Sequence, residues 1–274
     1  MNRTNIEWCD YTWNPVKGCT HGCPYCYGPT WAKRFGQKCE MCRQFTPHLH
    51  SERLGQPARR RKPTRIFACS MGELFDPMLL DDDRACVLEA MRNAPQHTFM
   101  VLTKQPGIAR WVLDEYCEWR HQTEGSLEPT PLPNLWLGVS VENQQAADER
   151  IPELLKCPAV LRFVSYEPAH GQILFDDGEC GWFSCTPKAR TECPGECCYS
   201  HVNGSPHFRG IDWLIIGAET GNRKGKVVPE REWIQSAVDQ ARVAGIAVFV
   251  KGNIVTLYPE FAGIEGFPEA KEGR

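Results

Sequence analysis

Thr98-Phe-Met-Val-Leu102-Thr-Lys104-Gln-Pro-Gly107 is the stretch that decides the fold. Phe99 to Leu102 is an unbroken apolar run with polar residues on both sides, the pattern of a short strand covered on both faces. Thr103 and Lys104 follow the run, and an amphipathic helix is predicted over Gly107–Cys117. Strand, polar turn and helix in that order make half of a crossover unit, and a chain built from such units forms a parallel sheet.

The same alternation continues on both sides. Strands are predicted at Ile6–Trp8, Arg65–Cys69, Thr98–Leu102, Leu135–Val141, Val160–Val164, Trp213–Ile216 and Val248–Val250. Helices are predicted at Asp81–Asn93, Gln144–Leu155 and Pro229–Ala244 as well. Asp81 to Asp83 put negative charge where a helix N-terminus favours it, and Gly245 suits a position just past a helix end. The expected fold is α/β: a parallel sheet with right-handed connections, curling into a full or partial (β/α) barrel over residues 1–274 as one domain. Two segments interrupt the alternation and read as Cys-rich insertions without regular structure. Residues 36–64 carry Cys39, Cys42, His48, His50 and a basic run; residues 171–209 carry Cys193 and Cys197 among several other cysteines.

Ligand-binding residues of such folds sit at the carboxyl ends of the strands. Ser70-Met-Gly72-Glu73, Thr103-Lys104, Val141-Glu142-Asn143, Tyr166-Glu167-Pro168 and Gly217-Ala-Glu219-Thr-Gly221 all follow predicted strands and are expected to converge on one face. Lys104, Glu167, Glu219 and Lys251 are the ionisable candidates for substrate contact or catalysis, since a buried Lys or Glu needs a partner or a shifted pKa.

Cys19-Thr-His-Gly-Cys23-Pro-Tyr-Cys26 is the stretch that carries the chemistry. Three thiolates can hold three corners of a [4Fe–4S] cube, whereas clusters that only carry electrons take four cysteines. The fourth iron is then open to a ligand that is not protein. Gly18 and Gly22 let the chain turn tightly around a bulky inorganic core, and Tyr25 precedes the third cysteine. Two other chemistries fit the same residues. Cys23-Pro-Tyr-Cys26 is also the dithiol of a glutaredoxin-like oxidoreductase, and cysteines can instead staple an adaptor around zinc.

The C-x3-C-x-aromatic-C pattern resembles the signature of the radical S-adenosylmethionine superfamily. Ile6-Glu-Trp8, Thr12-Trp-Asn-Pro15, Arg65-Ile-Phe67, Val101-Leu-Thr-Lys104, Gly138-Val-Ser-Val-Glu-Asn143 and Phe163-Val-Ser165 make it similar to a phage-associated three-cysteine-motif family of unknown function. The resemblance implies that S-adenosylmethionine binds the open iron of a cluster held by Cys19, Cys23 and Cys26. One electron then splits its sulfonium into methionine and a 5′-deoxyadenosyl radical, which takes hydrogen from a substrate. It also implies that Ser70, Gly72 and Glu73 contact the methionine end, that Tyr25, Ser140, Glu142, Asn143 and Gly217 line the cofactor, and that a flavodoxin- or ferredoxin-type donor supplies the electron. Members of such families travel beside a second gene, which implies a protein partner.

Cysteine use bounds the rest. There are 15 in 274 residues, an odd number, and the first residues lack the apolar core of a secretory signal. A cytoplasmic protein with metal-binding or redox cysteines is expected, not a disulfide framework. Cys39 and Cys42, joined by Cys193 and Cys197, are candidates for a second site holding zinc or an auxiliary iron–sulfur cluster. Cys69, Cys86, Cys117 and Cys157 are expected to be small core residues. Net charge is −3, so no globally basic nucleic-acid binder is indicated. Arg59-Arg-Arg-Lys62 is nonetheless a local candidate for phosphates, and Trp8, Trp13 and Trp31 are candidates for base stacking or core packing. No apolar run approaches the roughly 18–20 residues that cross a bilayer.

Overall fold

The computed structural model describes residues 1–125, 128–175, 210–221 and 223–269. Within them the predicted alternation forms. The main strands are β1 (Asn2–Arg3), β2 (Tyr11–Trp13), β5 (Arg65–Ala68), β6 (Thr98–Thr103), β7 (Leu135–Ser140), β8 (Leu161–Tyr166), β9 (Trp213–Ile216) and β10 (Ala247–Val250). They make a mostly parallel sheet of eight strands in the order β1-β2-β5-β6-β7-β8-β9-β10. A separate hairpin pairs β3 (Val16–Lys17) with β4 (His48–Leu49). The longer helices are α3 (Asp81–Arg92), α4 (Pro106–Glu124), α5 (Gln144–Lys156) and α6 (Arg231–Val243). Shorter ones are α1 (Gly28–Phe35), α2 (Glu40–Gln44) and α7 (Gly252–Val255). No helix among the described residues is long and apolar enough to cross a membrane.

The chain divides into two compact units. One comprises Met1–Gly138 with Cys157–Val160, the other Val139–Lys156 with Leu161–Arg274. In the first, β2 runs parallel to β5, with Tyr11 opposite Ile66, and β5 runs parallel to β6, with Arg65 opposite Thr98. β1 is antiparallel to β2. The core gathers Trp13, Phe75, Phe99, Met91 and Met100, all fully buried, with the Trp13 and Phe99 rings 5.5 Å apart. Burying side chains of this size gives roughly 1.5–3 kcal/mol each. In the second unit β8, β9 and β10 are parallel neighbours, with Phe163 opposite Trp213 and Ala247 opposite Trp213 on the other side. All six residues of β8 are buried, as a strand covered on both faces requires. Trp213 packs on Phe163 at 5.6 Å and donates its indole N–H to the Gly266 carbonyl at 2.9 Å.

Helix ends follow local chemistry. α3 begins at Leu80, whose side chain cannot cap it, and the three aspartates of its first turn supply the negative charge instead. Its buried face is Arg84, Val87, Leu88 and Met91, at helical spacing. Cys86 falls off that face and is exposed, which corrects its expected place in the core; Cys69, Cys117 and Cys157 are buried as expected. α4 runs past the predicted end at Cys117 to Glu124, and Gly125 at φ 67° caps it there. A second correction concerns Ile6–Trp8. Cys9 N–H bonds to the Ile6 carbonyl at 3.2 Å and closes a turn there, so the strand forms at Tyr11–Trp13. Residues 36–64 also hold more regular structure than expected, since α2 and β4 both lie within them. Trp8 and Trp13 are core residues, whereas Trp31 is 53% exposed and lies 4.9 Å from the Phe35 ring.

Candidate functional site

The three-cysteine loop leaves β3 and enters α1. Its entry is fixed by backbone pairing with the segment after β5: Gly18 N–H donates to the Met71 carbonyl and Glu73 N–H to the Gly18 carbonyl, both at 3.1 Å. Gly18 and Gly72 form an isolated parallel bridge. The approach is close enough that a Cβ on Gly72 would lie 2.9 Å from the Lys17 Cα. Gly18 sits at φ 89°, where side chains are strained. Farther along, Thr20 gives its backbone N–H (2.7 Å) and its hydroxyl (2.9 Å) to Asp76, whose buried carboxylate also takes the Met78 N–H at 3.0 Å. Tyr27 closes the loop by donating its hydroxyl to the Ser70 carbonyl at 2.8 Å.

Cys19, Cys23 and Cys26 are free thiols, each half-buried. His21 N–H points at the Cys19 sulfur (3.4 Å) and Gly28 N–H at the Cys26 sulfur (3.3 Å). Burial pushes the Cys19 thiol up to about 12 despite the His21 N–H, and nearby Glu73, Asp76 and Cys23 push the same way. Burial also raises Cys26, opposed by the Gly28 N–H. Thiolates are therefore costly here without a cation, the situation in which metal displaces protons from its ligands.

The strand-end segment lies directly beside this loop. Asn14 accepts the Ser70 hydroxyl at 3.2 Å and the Met71 N–H at 2.9 Å, which shapes the turn after β5. Cys69 stands at φ 59° at the start of that turn, a conformation that costs a residue with a Cβ about 1–3 kcal/mol. Glu73 is buried, and its carboxylate accepts Phe75 N–H at 3.0 Å and Lys104 N–H at 3.1 Å. Burial raises its pKa, and these N–H groups oppose the shift. Lys104 extends from the end of β6 to the Tyr25 hydroxyl at 2.7 Å. Tyr25, Ser70, Gly72, Glu73 and Lys104 are thus brought together around the three-cysteine loop. Asn14 and Asp76 hold the same site and were missed from sequence. Only Asn14 had a signal, as part of the Thr12–Pro15 segment that carries the resemblance.

In the second unit the predicted residues also follow their strands. After β7, Glu142 takes the Arg150 guanidinium at 2.8 Å, and the same guanidinium bonds to the Ser140 carbonyl at 2.7 Å. Asn143 caps α5 by accepting the Ala146 N–H at 3.0 Å. After β8, Glu167 pairs with Lys251 from the end of β10. Gly217 leaves room for that carboxylate, since a Cβ there would lie 2.7 Å from the Glu167 Cδ. Glu219 takes Arg223 at 2.7 and 2.8 Å and His170 at 3.2 Å. The Arg223 bonds hold its carboxyl far below the usual range, at about 2. Asn253, also missed from sequence, clamps Ala218 through both its amide oxygen (3.1 Å) and its amide nitrogen (2.8 Å). The four ionisable candidates, Lys104, Glu167, Glu219 and Lys251, all come with a protein partner.

Cys39 and Cys42 meet two histidines. Cys39, Cys42, His48 and His50 place one ligand atom each within 4.8 Å of all the others. The predicted partners Cys193 and Cys197 lie outside the described residues. In the basic run, Arg59, Arg61 and Lys62 are exposed, while Arg60 folds back over the Tyr11 ring at 4.3 Å and bonds to the Thr64 hydroxyl at 3.1 Å.

Among solved structures, the chain is similar to spore photoproduct lyase. A cysteine-to-serine mutant of that enzyme superposes with a TM-score of 0.48 at 12% identity, covering 91% of this chain and 79% of that one. Its complex with dinucleoside spore photoproduct gives 0.47 at 12% identity, over 91% and 79%. A double mutant with bound AdoMet and the same photoproduct gives 0.47 at 12%, over 94% and 76%. No curated protein matches the sequence. Residues 3–255 match the family described as "Protein of unknown function (DUF5131)", and the chain belongs to that family.

Proposed function

We propose that this protein is a radical S-adenosylmethionine enzyme. The observation that carries the reading is the three-cysteine loop itself. It holds three free thiols on a glycine-hinged turn, tied at both flanks to the Ser70–Asp76 segment at the end of a parallel strand. The donor set fits a cluster with one open iron. Three sulfurs are available, none is spent in a disulfide, and two receive N–H groups of the kind that tune a cluster's potential. A [4Fe–4S] cluster there would supply the electron that splits S-adenosylmethionine into methionine and a 5′-deoxyadenosyl radical.

The chain's own groups have separate tasks. Cys19, Cys23 and Cys26 are the ligands. Gly72 admits the backbone approach that sets Ser70, Met71 and Glu73 against the loop. Glu73 directs two backbone N–H groups and fixes the ends of two neighbouring turns, so contact with a ligand ammonium would use its remaining lone pairs. Lys104 orients Tyr25 and places a cation beside the Cys26 thiol.

A dithiol oxidoreductase is less well supported. Its first thiol would be activated at a helix N-terminus, whereas α1 starts at Gly28, beyond both Cys23 and Cys26. The exposed Arg59, Arg61 and Lys62 keep a phosphate-bearing substrate, nucleic acid or nucleotide, as the candidate class.

The test is anaerobic reconstitution with iron and sulfide. About four irons should load per chain, and dithionite with S-adenosylmethionine should release 5′-deoxyadenosine. Cys23→Ser should abolish that release. A wild-type chain that takes up no iron under these conditions would sink the reading.

A further inference from the structure

We propose that Cys39, Cys42, His48 and His50 form a closed, mononuclear zinc site that fixes the chain flanking the three-cysteine loop. Cys39 is the N-cap of α2 and Cys42 lies in its first turn, so one helix start presents both sulfurs. His48 is in β4 and His50 is two residues on, which puts both rings on one side of an extended chain.

The distances approach those of a tetrahedral shell, two of them matching its edges and two a few tenths of an ångström shorter. Cys39 Sγ is 3.4 Å from His48 Nε2, and Cys42 Sγ is 3.5 Å from His48 Nε2 and 3.1 Å from His50 Nε2. The two Nε2 atoms are 3.0 Å apart. A tetrahedron with zinc–sulfur bonds near 2.3 Å and zinc–nitrogen bonds near 2.0–2.1 Å has edges of roughly 3.3–3.8 Å.

The outer nitrogens decide what those Nε2 atoms are. His48 Nδ1 lies 2.8 Å from the Thr46 carbonyl, and His50 Nδ1 lies 3.0 Å from the Glu52 carboxylate. Both partners can only accept, so each Nδ1 is the hydrogen-bearing nitrogen and Nε2 of each ring is the atom left for a metal. One ion between the two Nε2 atoms and the two sulfurs would be within reach of all four donors at once. A carbonyl and a carboxylate behind ligand histidines are also the usual outer support of a zinc centre. The sulfur–nitrogen contacts are too short for a two-iron cluster, which places its cysteines and histidines on different metals. With two sulfurs and two nitrogens the shell is complete, so Cys193 and Cys197 are not needed as ligands.

The chain between the ligands explains the site's purpose. Phe45, Thr46 and Pro47 lie between Cys42 and His48 and press on both flanks of the three-cysteine loop. Cys19 N–H donates to the Phe45 carbonyl at 3.1 Å. Gly18 passes so near that a Cβ would sit 2.2 Å from the Thr46 oxygen, and one on Gly28 would sit 2.3 Å from the Phe45 ring. Phe45 itself is held at φ 57°. Zinc at the four ligands therefore sets the position of Cys19. The value of this to a cluster rests on the function proposed above, but the zinc site does not.

Metal analysis and X-ray absorption on the purified full chain test the proposal. Wild type should retain about one zinc, with two sulfurs near 2.3 Å and two nitrogens near 2.0–2.1 Å. Serine at Cys19, Cys23 and Cys26 together should leave that zinc in place, as should Cys193→Ser with Cys197→Ser. Cys42→Ser with His48→Gln should lose it. Chelating zinc from the wild type should speed hydrogen exchange at the Cys19 amide by roughly tenfold, a readout that needs no iron. A zinc-free wild type, a different ligand shell, or zinc lost with Cys193 and Cys197 overturns the site. An unchanged Cys19 amide overturns its role.

Discussion

Lys104 Nζ donates to the Tyr25 hydroxyl at 2.7 Å, and the ammonium lies 5.3 Å from the centre of the same ring. This joins the end of β6 to the residue before the third cysteine. Tyr25→Phe keeps the ring and removes the hydroxyl. A hydrogen bond to a charged group contributes about 1.5–3 kcal/mol when well shielded, and this one is only half-buried. The expected loss is about 1 kcal/mol, a fall in Tm of about 2–4 °C. Iron uptake should be retained, because no sulfur is touched. A chain that loads no iron after this change would show that the hydroxyl, and not the cysteines alone, builds the site.

Glu73→Gln is a harsher change than its size suggests. Both carboxylate oxygens of Glu73 receive backbone N–H groups, from Phe75 and from Lys104. A glutamine amide has one oxygen, so its NH2 must face one of those donors in a buried place. An unsatisfied buried donor costs about 1–3 kcal/mol. Thermal denaturation should show a Tm drop of about 3–9 °C. No change would mean that the carboxylate is not bonded to those two amides in solution.

Gly18 and Gly22 both have positive φ, yet they should respond very differently to alanine. A Cβ on Gly18 meets the Thr46 carbonyl oxygen at 2.2 Å and its carbon at 2.3 Å, and backbone cannot swing aside as a side chain can. A Cβ on Gly22 has nothing nearer than the Thr20 oxygen at 4.0 Å. Gly22→Ala should cost only the strain of the left-handed region, about 1–2 kcal/mol. Gly18→Ala should cost at least about 3 kcal/mol, strain and overpacking together. Denaturant unfolding of the two variants checks the order, and equal losses would contradict the close packing of Thr46 on the loop.

These contacts mark the boundary of what the sequence reveals. Trp213–Ile216 forms the strand expected of its apolar run, and Gln144–Lys156 ends one residue beyond expectation. Long periodic segments carry their own signal. The last turns of α4 do not, because they are polar and rest on pairs such as Arg120 with Glu124 at 3.1 Å. The two-residue strands Val16–Lys17 and His48–Leu49 are too short to show a period, and pairing alone creates them. Cys19, Cys23 and Cys26 could be found because their spacing is local. Cys39 and Cys42 were legible as a pair, but His48 and His50 joined them only once the hairpin had formed. Asn14 and Asp76 serve the site through partners 56 residues away in sequence. Residue type shows that such a side chain can bond, and only the fold shows to what.

Glu219 gives the second unit an acid-sensitive element. Arg223 holds its carboxyl down from an ordinary 4.5 to about 2, with His170 acting in the same direction against the opposing effect of burial. A carboxyl more acidic in the folded chain than in the unfolded one stabilises the fold above its unfolded value. That contribution disappears as the pH falls through its folded value. Wild type should therefore exceed Glu219→Gln in Tm by a nearly constant margin above about pH 5, where the carboxylate is ionised in both states. The margin should narrow between about pH 4.5 and pH 2, because the unfolded chain takes up its proton first while Arg223 still keeps the folded carboxylate ionised. Arg223→Met should flatten the same dependence while leaving the carboxylate in place. Parallel melting curves for wild type and Glu219→Gln across that whole range would mean that the pair does not form, and with it would go the anchoring of the Gly217–Glu219 turn to Arg223.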